Sequence, residues 1–325
     1  MKLLAVERFR GSAADLPGPL ARLAFRRHRV EAAAAAVDAF ARHRVDQLLK
    51  ADGAQALTYS EGQEIRGLAI LQPLTWDSRV LEVPAGRLDV LVAGSYVERV
   101  EIAGALLAAA VAAAKASGIR HLSLRVDASD EATVHVVERQ GFINVDALLT
   151  FGARLDQIAA PSGAAGITIR TAAATDGGDV GELAAAAFRD GRFHSDPLIA
   201  PESARRVYRE WAIACVSGSA AEYVAVAIVN GRLGGFVACR LAQDAAVHFG
   251  RPTSTIALIA AANDVRGQGV GPLLVGAARD WSRVHDVGTL EVGTPVRNLR
   301  AARLYERCGF RLVASSLTFR MVIEA

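Results

Sequence analysis

An internal repeat constrains the fold of this chain more than any other feature of its sequence. The segment from Asn298 to Phe310 has a counterpart from Asp130 to Phe142, and the strand-like segments before them, Gly288–Val292 and Arg120–Leu124, keep the same offset of 168 residues (298 − 130) without a gap. A period of this size indicates a duplicated domain, because solenoid repeats have much shorter periods. Two α/β units that share only a generic helix-turn-strand pattern are the alternative.

The two copies are separated by a stretch of small residues. Residues 157–166 carry no charge and contain Pro161, Ser162 and two glycines, a composition typical of a linker. We therefore predict one domain over residues 1–156, a linker over 157–166 and a second domain over 167–325.

The second half alternates strand and helix patterns, which predicts the α/β class, with a mixed β-sheet flanked by helices in each domain. Asn230-Gly231 between two apolar runs is a strong hairpin signal. The predicted strands are Ile167–Arg170, Glu222–Val229, Arg232–Leu241, Thr255–Ala261, Thr289–Gly293 and Arg311–Val322, the last as one strand or two. The predicted helices are Thr175–Arg189, Pro201–Val216, a segment ending near Val284, and Leu299–Cys308.

Composition excludes several classes of protein. The chain is 52% hydrophobic and 22% charged, as in soluble globular proteins. Its net charge of +3 is spread along the sequence without a long Lys/Arg run, so no nucleic-acid partner is expected. A mildly basic surface instead favours an anionic small molecule.

Cysteine usage and hydropathy indicate a cytoplasmic protein. Cys215, Cys239 and Cys308 are far apart and form no Cys-x-x-Cys motif, which favours reduced thiols and argues against a zinc site. No signal peptide is visible. The longest apolar run, Ile102–Ala114, is shorter than the roughly 20 residues needed to span a bilayer, and we expect a packed helix there without membrane partners.

A glycine-rich turn precedes a helix of the second half. Residues 266–272, here called the glycine turn, read Arg-Gly-Gln-Gly-Val-Gly-Pro. A helix N-terminus attracts anions through its unpaired N–H groups and the positive end of its dipole. Gly269 and Gly271 allow close approach to the backbone, and Pro272 fits a first helical turn. Arg266 adds a positive charge, so the turn suits a pyrophosphate, although plain strand-to-helix turns also contain G-x-G.

Asn298 and Tyr305 stand seven residues apart, close to two helical turns, which predicts that they share one helix face. A tyrosine keeps its proton at neutral pH and can give it to a departing thiolate. Asn298 can hydrogen-bond a cofactor or a bridging water. A core aromatic residue with a polar tip is the alternative for Tyr305. We expect Cys308, nearby, to be a packing residue.

Together these motifs resemble the GNAT superfamily of acetyl-CoA-dependent N-acetyltransferases. Arg266-x-x-Gly269-x-Gly271 is similar to the family's Q/R-x-x-G-x-G/A motif, and Asn298–Phe310 to its N-x-x-A-x-x-L-Y-E-x-x-G-F motif. The resemblance implies that acetyl-CoA is the co-substrate and that an acceptor amine attacks its thioester directly.

The resemblance also implies roles for single residues. Tyr305 would be the proton donor, and Asn298 would contact the cofactor. The backbone near Ala260 could stabilise the oxyanion. The pantetheine arm would pair with Ile259, Ala260 and Ala261, and the diphosphate would be held by Arg266, Gly267, Gln268, Gly269, Val270, Gly271 and Pro272.

The first half departs from this pattern. Val137 stands in place of Tyr305 and Asp130 in place of Asn298. Glu98, Glu101 and Ala103 correspond to Arg266, Gly269 and Gly271, and carboxylates there would repel a pyrophosphate. We therefore expect a degenerate GNAT-like domain that has kept the fold and lost the chemistry.

A narrower resemblance concerns the acceptor. Leu74–Ser78, Ala187–His194 and Tyr208–Trp211 are similar to the TDP-fucosamine acetyltransferase family, whose members acetylate a nucleotide-linked 4-amino-4,6-dideoxy sugar. Arginines suit a diphosphate, and aromatic rings can stack on a base. The candidates for those contacts are Arg205, Arg206 and Arg209, with Phe193, Tyr208 and Trp211. A solvated basic helix face over core aromatic residues is the alternative.

Other assignments stay open from the residues alone. His194, Asp244, His248, Asp264 or a water chain could accept the proton of the attacking amine. A mycothiol-synthase-like enzyme, an antibiotic or peptide N-acetyltransferase, and a non-catalytic acyl-CoA-binding regulator are the competing functions. The sequence indicates no particular oligomeric state.

Overall fold

The computed structural model describes residues 5–16, 20, 33–93, 96–159 and 166–324. These residues form two compact units. The first contains residues 5–16, 20, 33–93, 96–147 and 315–324, and the second contains 148–159 and 166–314. Residues 148–156, which the sequence assigned to the first domain, therefore lie in the second unit. Most of the proposed linker, 160–165, lies outside the described residues, but Ile158 is buried and Ala159 N–H donates to the Cys308 carbonyl at 3.2 Å.

The first unit consists of a mixed β-sheet flanked by helices. Its strands run in the order β1-β2-β3-β4-β5, followed by residues 316–322 of the last strand of the chain, and only β4 and β5 are parallel. The strands are β1 Val6–Phe9, β2 Gln55–Glu61, β3 Glu64–Pro73, β4 Ala85–Ala93 and β5 His121–Asp127. The helices are α1 Ala34–Leu49, α2 Thr75–Leu81, α3 Tyr96–Ala116 and α4 Glu131–Arg139.

The second unit repeats this plan. Residues 148–154 of β6 (Ile143–Arg154) pair with β11, and the strand order continues as β11-β10-β9-β8-β7, with β10 and β11 as the parallel pair. The strands are β7 Ile167–Thr171, β8 Tyr223–Val229, β9 Arg232–Ala242, β10 Thr253–Ala261, β11 Thr289–Pro295 and β12 Arg311–Val322. The helices are α5 Gly177–Ala187, α6 Arg192–Ser195, α7 Pro201–Val216, α8 Ala246–Phe249, α9 Val270–Val284 and α10 Leu299–Arg307.

The internal repeat is confirmed at the level of whole elements. β4 and β10, β5 and β11, α4 and α10, and β6 and β12 have the same lengths, and the sequence offset relates each pair without a gap. The mixed sheet flanked by helices is also confirmed in both units.

Most predicted elements of the second half are confirmed, including the hairpin at Asn230-Gly231 and the single closing strand β12. The prediction of a helix from Thr175 was wrong at its ends. Residues 174–176 form a short 3-10 turn in which the Asp176 carboxylate accepts the Ala173 N–H at 2.7 Å, and the backbone is extended at Phe188. The four-residue helix α6 was not predicted.

Apolar helix faces pack on each sheet. In the first unit α3 buries Ile102, Leu106 and Ala110, so the longest apolar run lies in a packed core. Within the described residues, no helix has both the length and the hydropathy required to cross a bilayer. In the second unit α9 buries Leu274, Val275 and Ala278 and packs against β9, β8 and β10.

Candidate active site

The sheet of the second unit splits between its two parallel strands. β10 and β11 pair from Thr253 and Thr289 as far as Ile256 and Val292. A bulge at Ala257 then shifts the register of β10 with β9, and β10 continues paired to β9 as far as Ala261. Beyond Ile256, in the part of the chain that the structure describes, the facing edges of β10 and β11 have no recorded pairing with each other. We call this gap the split.

The split offers backbone groups to an extended ligand. Ile259, Ala260 and Ala261 lie on β10 along it, with Ala260 buried and its neighbours half-buried. Because backbone N–H and C=O groups require hydrogen-bond partners, an amide-bearing chain can add there like a strand. The backbone groups of these three residues that face β11 are therefore suited to such a chain.

The glycine turn follows β10 and leads into α9. Gly269 is the N-cap residue with φ 92°, and Gly267 has φ 80°, so both occupy the left-handed region that glycine adopts without strain. Val270 and Gly271 occupy the first turn, where N–H groups have no intrahelical acceptor. Arg266, Gly267, Gln268 and Pro272 are exposed. The turn thus presents an open helix N-terminus with a nearby cation, which is a suitable anion site.

Three glycines allow the close packing around this turn. A Cβ atom at Gly271 would lie 3.0 Å from Leu304 Cδ2 of α10. A Cβ at Gly235 of β9 would lie 2.8 Å from Val270 Cγ1, and one at Gly234 would lie 2.5 Å from Val229 Cγ2. The sequence pattern predicted ligand access for Gly271 but not its packing on α10. The two β9 glycines, Gly234 and Gly235, were not predicted to matter, although glycine within a strand indicates that another group approaches the backbone closely.

Asn298 is the N-cap of α10. Its Oδ1 accepts the Ala301 N–H at 3.2 Å, and the helix itself begins at Leu299. Asn298 therefore stands at the start of the helix that carries Tyr305, seven residues before it. The capping bond uses the carbonyl oxygen and not the side-chain amide nitrogen, which can still donate to a ligand.

Tyr305 lies near the start of the split. Its ring is 5.7 Å from that of Phe151 and 6.0 Å from that of Phe310, centroid to centroid, and the residue is 2% exposed. Phe151 stands opposite Val292, the β11 residue at which pairing with β10 ends. Burial raises the pKa of the Tyr305 phenol above its ordinary value, with a smaller contribution from Cys308. Its place in the apolar core cluster agrees with the alternative of a core aromatic residue, and the hydroxyl keeps the proton that a general acid needs.

Cys308 lies in the same core cluster. Its side chain is buried, and burial raises the pKa of its thiol. The interpretation of Cys308 as a packing residue is confirmed.

The arginines proposed for the acceptor take part in ion pairs. Arg209 Nε lies 2.7 Å from Glu182 Oε1, and Arg205 Nη2 lies 2.6 Å from Glu202 Oε2. Because these side chains already have carboxylate partners, a diphosphate would have to displace them. Phe193 and Tyr208 are buried against each other, and this favours the alternative of core aromatic residues for these two.

His194 lies on α6 beside the same aromatic cluster. Its ring stacks on Tyr208 with 5.6 Å between centroids and 19° between planes. Ser195, the next residue, accepts a hydrogen bond from Arg297 Nη1 at 3.4 Å. Sequence analysis could not have found this contact, because 102 residues separate its partners.

The other candidate bases lie elsewhere. Asp244 and His248 belong to the connection between β9 and β10, at the end of β10 opposite the split. Asp264 is exposed in the 3-10 turn just before the glycine turn.

The first unit contains the same split without the glycine turn. β4 and β5 pair from Ala85 and His121 as far as Leu88 and Leu124. However, α3 begins at Tyr96, whereas the offset would start it at residue 102. Arg99 Nη1 donates to Asp130 Oδ1 at 2.7 Å, and this carboxylate also caps α4 by accepting the Thr133 N–H at 3.3 Å. Val137, the counterpart of Tyr305, is fully buried.

Comparisons with known proteins agree with this geometry. The model of the acetyltransferase (GNAT) family matches residues 22–142 and again residues 185–310. The chain is 24% identical over 255 residues to the spore coat polysaccharide biosynthesis protein SpsD of Bacillus subtilis, an alignment that covers 77% of this chain and 82% of that protein.

Solved structures share the fold. A tandem GNAT protein from the clavulanic acid biosynthesis pathway superposes with a TM-score of 0.60 at 16% identity, over 99% of both chains. A GCN5-related N-acetyltransferase from Sphaerobacter thermophilus gives 0.63 at 15% identity, over 100% of this chain and 97% of that one. With both halves matched by one family model, this chain belongs to the GNAT family of acetyltransferases, as a tandem member.

Proposed function

We propose that this chain transfers the acetyl group of acetyl-CoA to a primary amine of an activated amino sugar, with a TDP-linked 4-amino-4,6-dideoxy sugar as the first candidate. The observation that carries the proposal is the split beside an open glycine turn in the second unit. Acetyl-CoA combines an amide-bearing arm with a diphosphate, and these two features suit those two parts of the molecule.

In this proposal the second unit holds both reactants. The pantetheine arm pairs with Ile259, Ala260 and Ala261, and the diphosphate binds residues 266–272. Asn298 donates its amide N–H to the cofactor. Holding both reactants in one cleft supplies much of the rate, because a bimolecular step becomes effectively unimolecular.

The chemical step is direct transfer. The amine nitrogen attacks the thioester carbonyl carbon, a C–N bond forms and the C–S bond breaks. Tyr305 gives its proton to the departing sulfur. The phenol holds that proton at neutral pH already at its ordinary pKa, and burial raises this pKa further.

The sugar is supported by the relative SpsD, whose name places it in polysaccharide biosynthesis, and by the resemblance of residues 74–78, 187–194 and 208–211 to a nucleotide-sugar acetyltransferase family. The ion pairs of Arg205 and Arg209 argue against an arginine clamp on the diphosphate of the sugar. We therefore propose the amine class from the relative and not from those arginines.

A panel of acceptors tests the proposal. Release of the CoA thiol is measured with acetyl-CoA and TDP-4-amino-4,6-dideoxygalactose, glucosamine, a cysteinyl amino sugar, an aminoglycoside or a lysine peptide. We expect the highest kcat/KM with the nucleotide sugar. A higher value with another amine would replace the acceptor, and tight acetyl-CoA binding without turnover on any amine would support a non-catalytic regulator.

A further inference from the structure

The transfer proposed above needs a group that accepts a proton. The attacking nitrogen carries one proton too many once the C–N bond forms, and neither the glycine turn nor Asn298 can take it. Of the four candidates, Asp244 and His248 lie beyond the start of β10 at Thr253, and six residues of strand separate Thr253 from Ile259, roughly 20 Å. Asp264 adjoins the turn that suits the diphosphate, away from the thioester.

His194 is connected to the open end of the split. Ser195 Oγ accepts from Arg297 Nη1 at 3.4 Å, and Arg297 lies between Pro295, where β11 ends, and Asn298, where α10 is capped. The short helix α6 is thus held beside the loop that leads from the split to the helix of Tyr305.

One ring nitrogen of His194 makes no hydrogen bond in the described structure. Nδ1 is buried and has no hydrogen-bond partner among the described residues. A ring nitrogen without a protein partner has no hydrogen bond to lose when the ring takes up a proton.

The orientation of the ring is fixed by its neighbours. Its plane lies within 19° of the Tyr208 ring, which also stacks on Phe188 at 4.9 Å. The Tyr208 hydroxyl in turn lies over Gly191, where a Cβ atom would come within 2.0 Å of it. A ring held in this way needs little reorganisation when it accepts a proton.

The charges around His194 favour its neutral form. Burial lowers the pKa of the imidazole most, and the Arg205 and Arg189 cations lower it further, against a smaller opposing effect of Asp190. Arg192 of the same short helix lies over the Phe193 ring, with 4.4 Å from Cζ to the centroid. At pH 7 the ring is therefore neutral and has a lone pair available on one nitrogen.

We propose that the imidazole of His194 accepts the proton of the attacking amine. The inference rests on the proposed function and adds its missing partner. The nitrogen lone pair forms the C–N bond, the N–H proton passes to the imidazole, the C–S electron pair leaves with sulfur, and sulfur takes the proton of Tyr305. Solvent then returns one proton from the imidazolium to the phenolate, so the net change is one proton moved from nitrogen to sulfur.

The test compares His194→Gln and His194→Ala with the wild type, using acetyl-CoA and the best acceptor of the panel. We expect kcat at pH 7 to fall about 10²–10³-fold, with an unchanged Kd for acetyl-CoA. In the wild type, kcat should fall on acidification through the lowered pKa of His194, because only the neutral ring accepts a proton. In both variants the limb that reports His194 should be lost. Added imidazole should partly restore His194→Ala.

A matched control is His285→Gln. His285 is exposed just beyond the C-terminal end of α9, where its Nδ1 lies 2.9 Å from the Trp281 carbonyl oxygen, and we expect wild-type kinetics from this variant. Circular dichroism and thermal unfolding establish that all variants are folded.

The possible failures are distinguishable. A wild type that acetylates no amine would overturn the proposed function and this assignment with it. If the wild type turns over and both folded His194 variants show the same kcat and the same fall of kcat on acidification, only the assignment of His194 is overturned. A fall in kcat without loss of the limb that reports His194 and without imidazole rescue would make His194 a structural residue.

Discussion

Asn298 combines two roles in one side chain. Its oxygen caps α10 by accepting the Ala301 N–H, and its nitrogen stays available at the open end of the split. Asp130, the counterpart in the first unit, caps α4 through the same geometry but has no N–H group to donate. The repeat thus supplies a natural substitution that separates the two roles.

We predict that Asn298→Asp will keep the cap and lose the amide donor. The unfolding free energy should stay within a few tenths of 1 kcal/mol of the wild type, while the Kd for acetyl-CoA rises. Asn298→Ala should lose both roles, at a cost of about 1 kcal/mol in stability. Urea unfolding and calorimetric titration measure the two effects, and equal affinity in the wild type and Asn298→Asp would contradict the cofactor contact.

Tyr305→Phe removes only the phenolic hydroxyl. We predict a fall in kcat of about 10²–10⁴-fold with little change in acetyl-CoA affinity, because the ring keeps its packing on Phe151 and Phe310. Single-turnover kinetics and equilibrium titration separate the two quantities. Unchanged turnover would remove Tyr305 from the proposed chemical step.

The sequence located these residues better than it described their surroundings. The seven-residue spacing correctly placed Asn298 and Tyr305 at one short helix. It could not show that Tyr305 would be enclosed, because Phe151 packs on it from a distant strand, β6. Side-chain burial depends on tertiary neighbours that local spacing does not contain.

At the scale of elements, the spacing between α9 and α10 positions the glycine turn. Gly271 is the second residue of α9 and faces Leu304 of α10, so the absence of a side chain sets how closely the two helices approach. The helix start that we propose as the diphosphate site is thereby placed against the helix that carries Tyr305.

We predict that Gly271→Ala will destabilise the fold by about 1–3 kcal/mol through overpacking and will raise the KM for acetyl-CoA. The matched control is Gly178→Ala, at the second position of α5, where a Cβ atom meets nothing within 4 Å. Adding Leu304→Ala should relieve part of the cost, as a double-mutant cycle would show. Equal effects of the two alanines would contradict a packing role for Gly271.

Element prediction succeeded where a pattern was long. The Asn-Gly turn between apolar runs and the amphipathic α7 were both evident from the sequence. The helix α6, Arg192–Ser195, is too short to show any periodicity, and its position follows from stacking on Tyr208 and the contact to Arg297. The bulge at Ala257 that opens the split likewise leaves no mark in composition.

At the scale of the whole molecule, each unit includes a strand segment from the other half of the sequence. Residues 148–154 pair with β11 in the second unit, and residues 316–322 pair with β5 in the first. The linear halves, divided at the linker, therefore do not coincide with the compact units. Local sequence patterns predict strands, but they could not show that residues of β6 pair with β11 and that residues of β12 pair with β5.

A fragment of residues 167–325 should therefore fold poorly. It lacks the strand that pairs with β11 and the Phe151 ring that contacts Tyr305, so it would expose part of the core. We expect no cooperative thermal transition from this fragment, and a cooperative one from residues 148–325. A transition of the shorter fragment near that of the full chain would contradict this prediction.

Calorimetry should find one acetyl-CoA per chain. In the first unit α3 starts early, the glycine turn is missing, and Arg99 pairs with Asp130 where the cofactor contact would be. Titration of the Tyr305→Phe variant avoids turnover during the measurement. A stoichiometry of two would show that the first unit also binds the cofactor.

The strand that each unit takes from the other half of the sequence limits which changes the protein can tolerate. The first half has Val137 and Ala103 at the positions that correspond to Tyr305 and Gly271, and it keeps its strands and helices. Deletion of the first half would also remove residues 148–154, the strand segment that pairs with β11 in the second unit. We therefore expect natural relatives to differ in the residues of the first half but to retain that half as a domain.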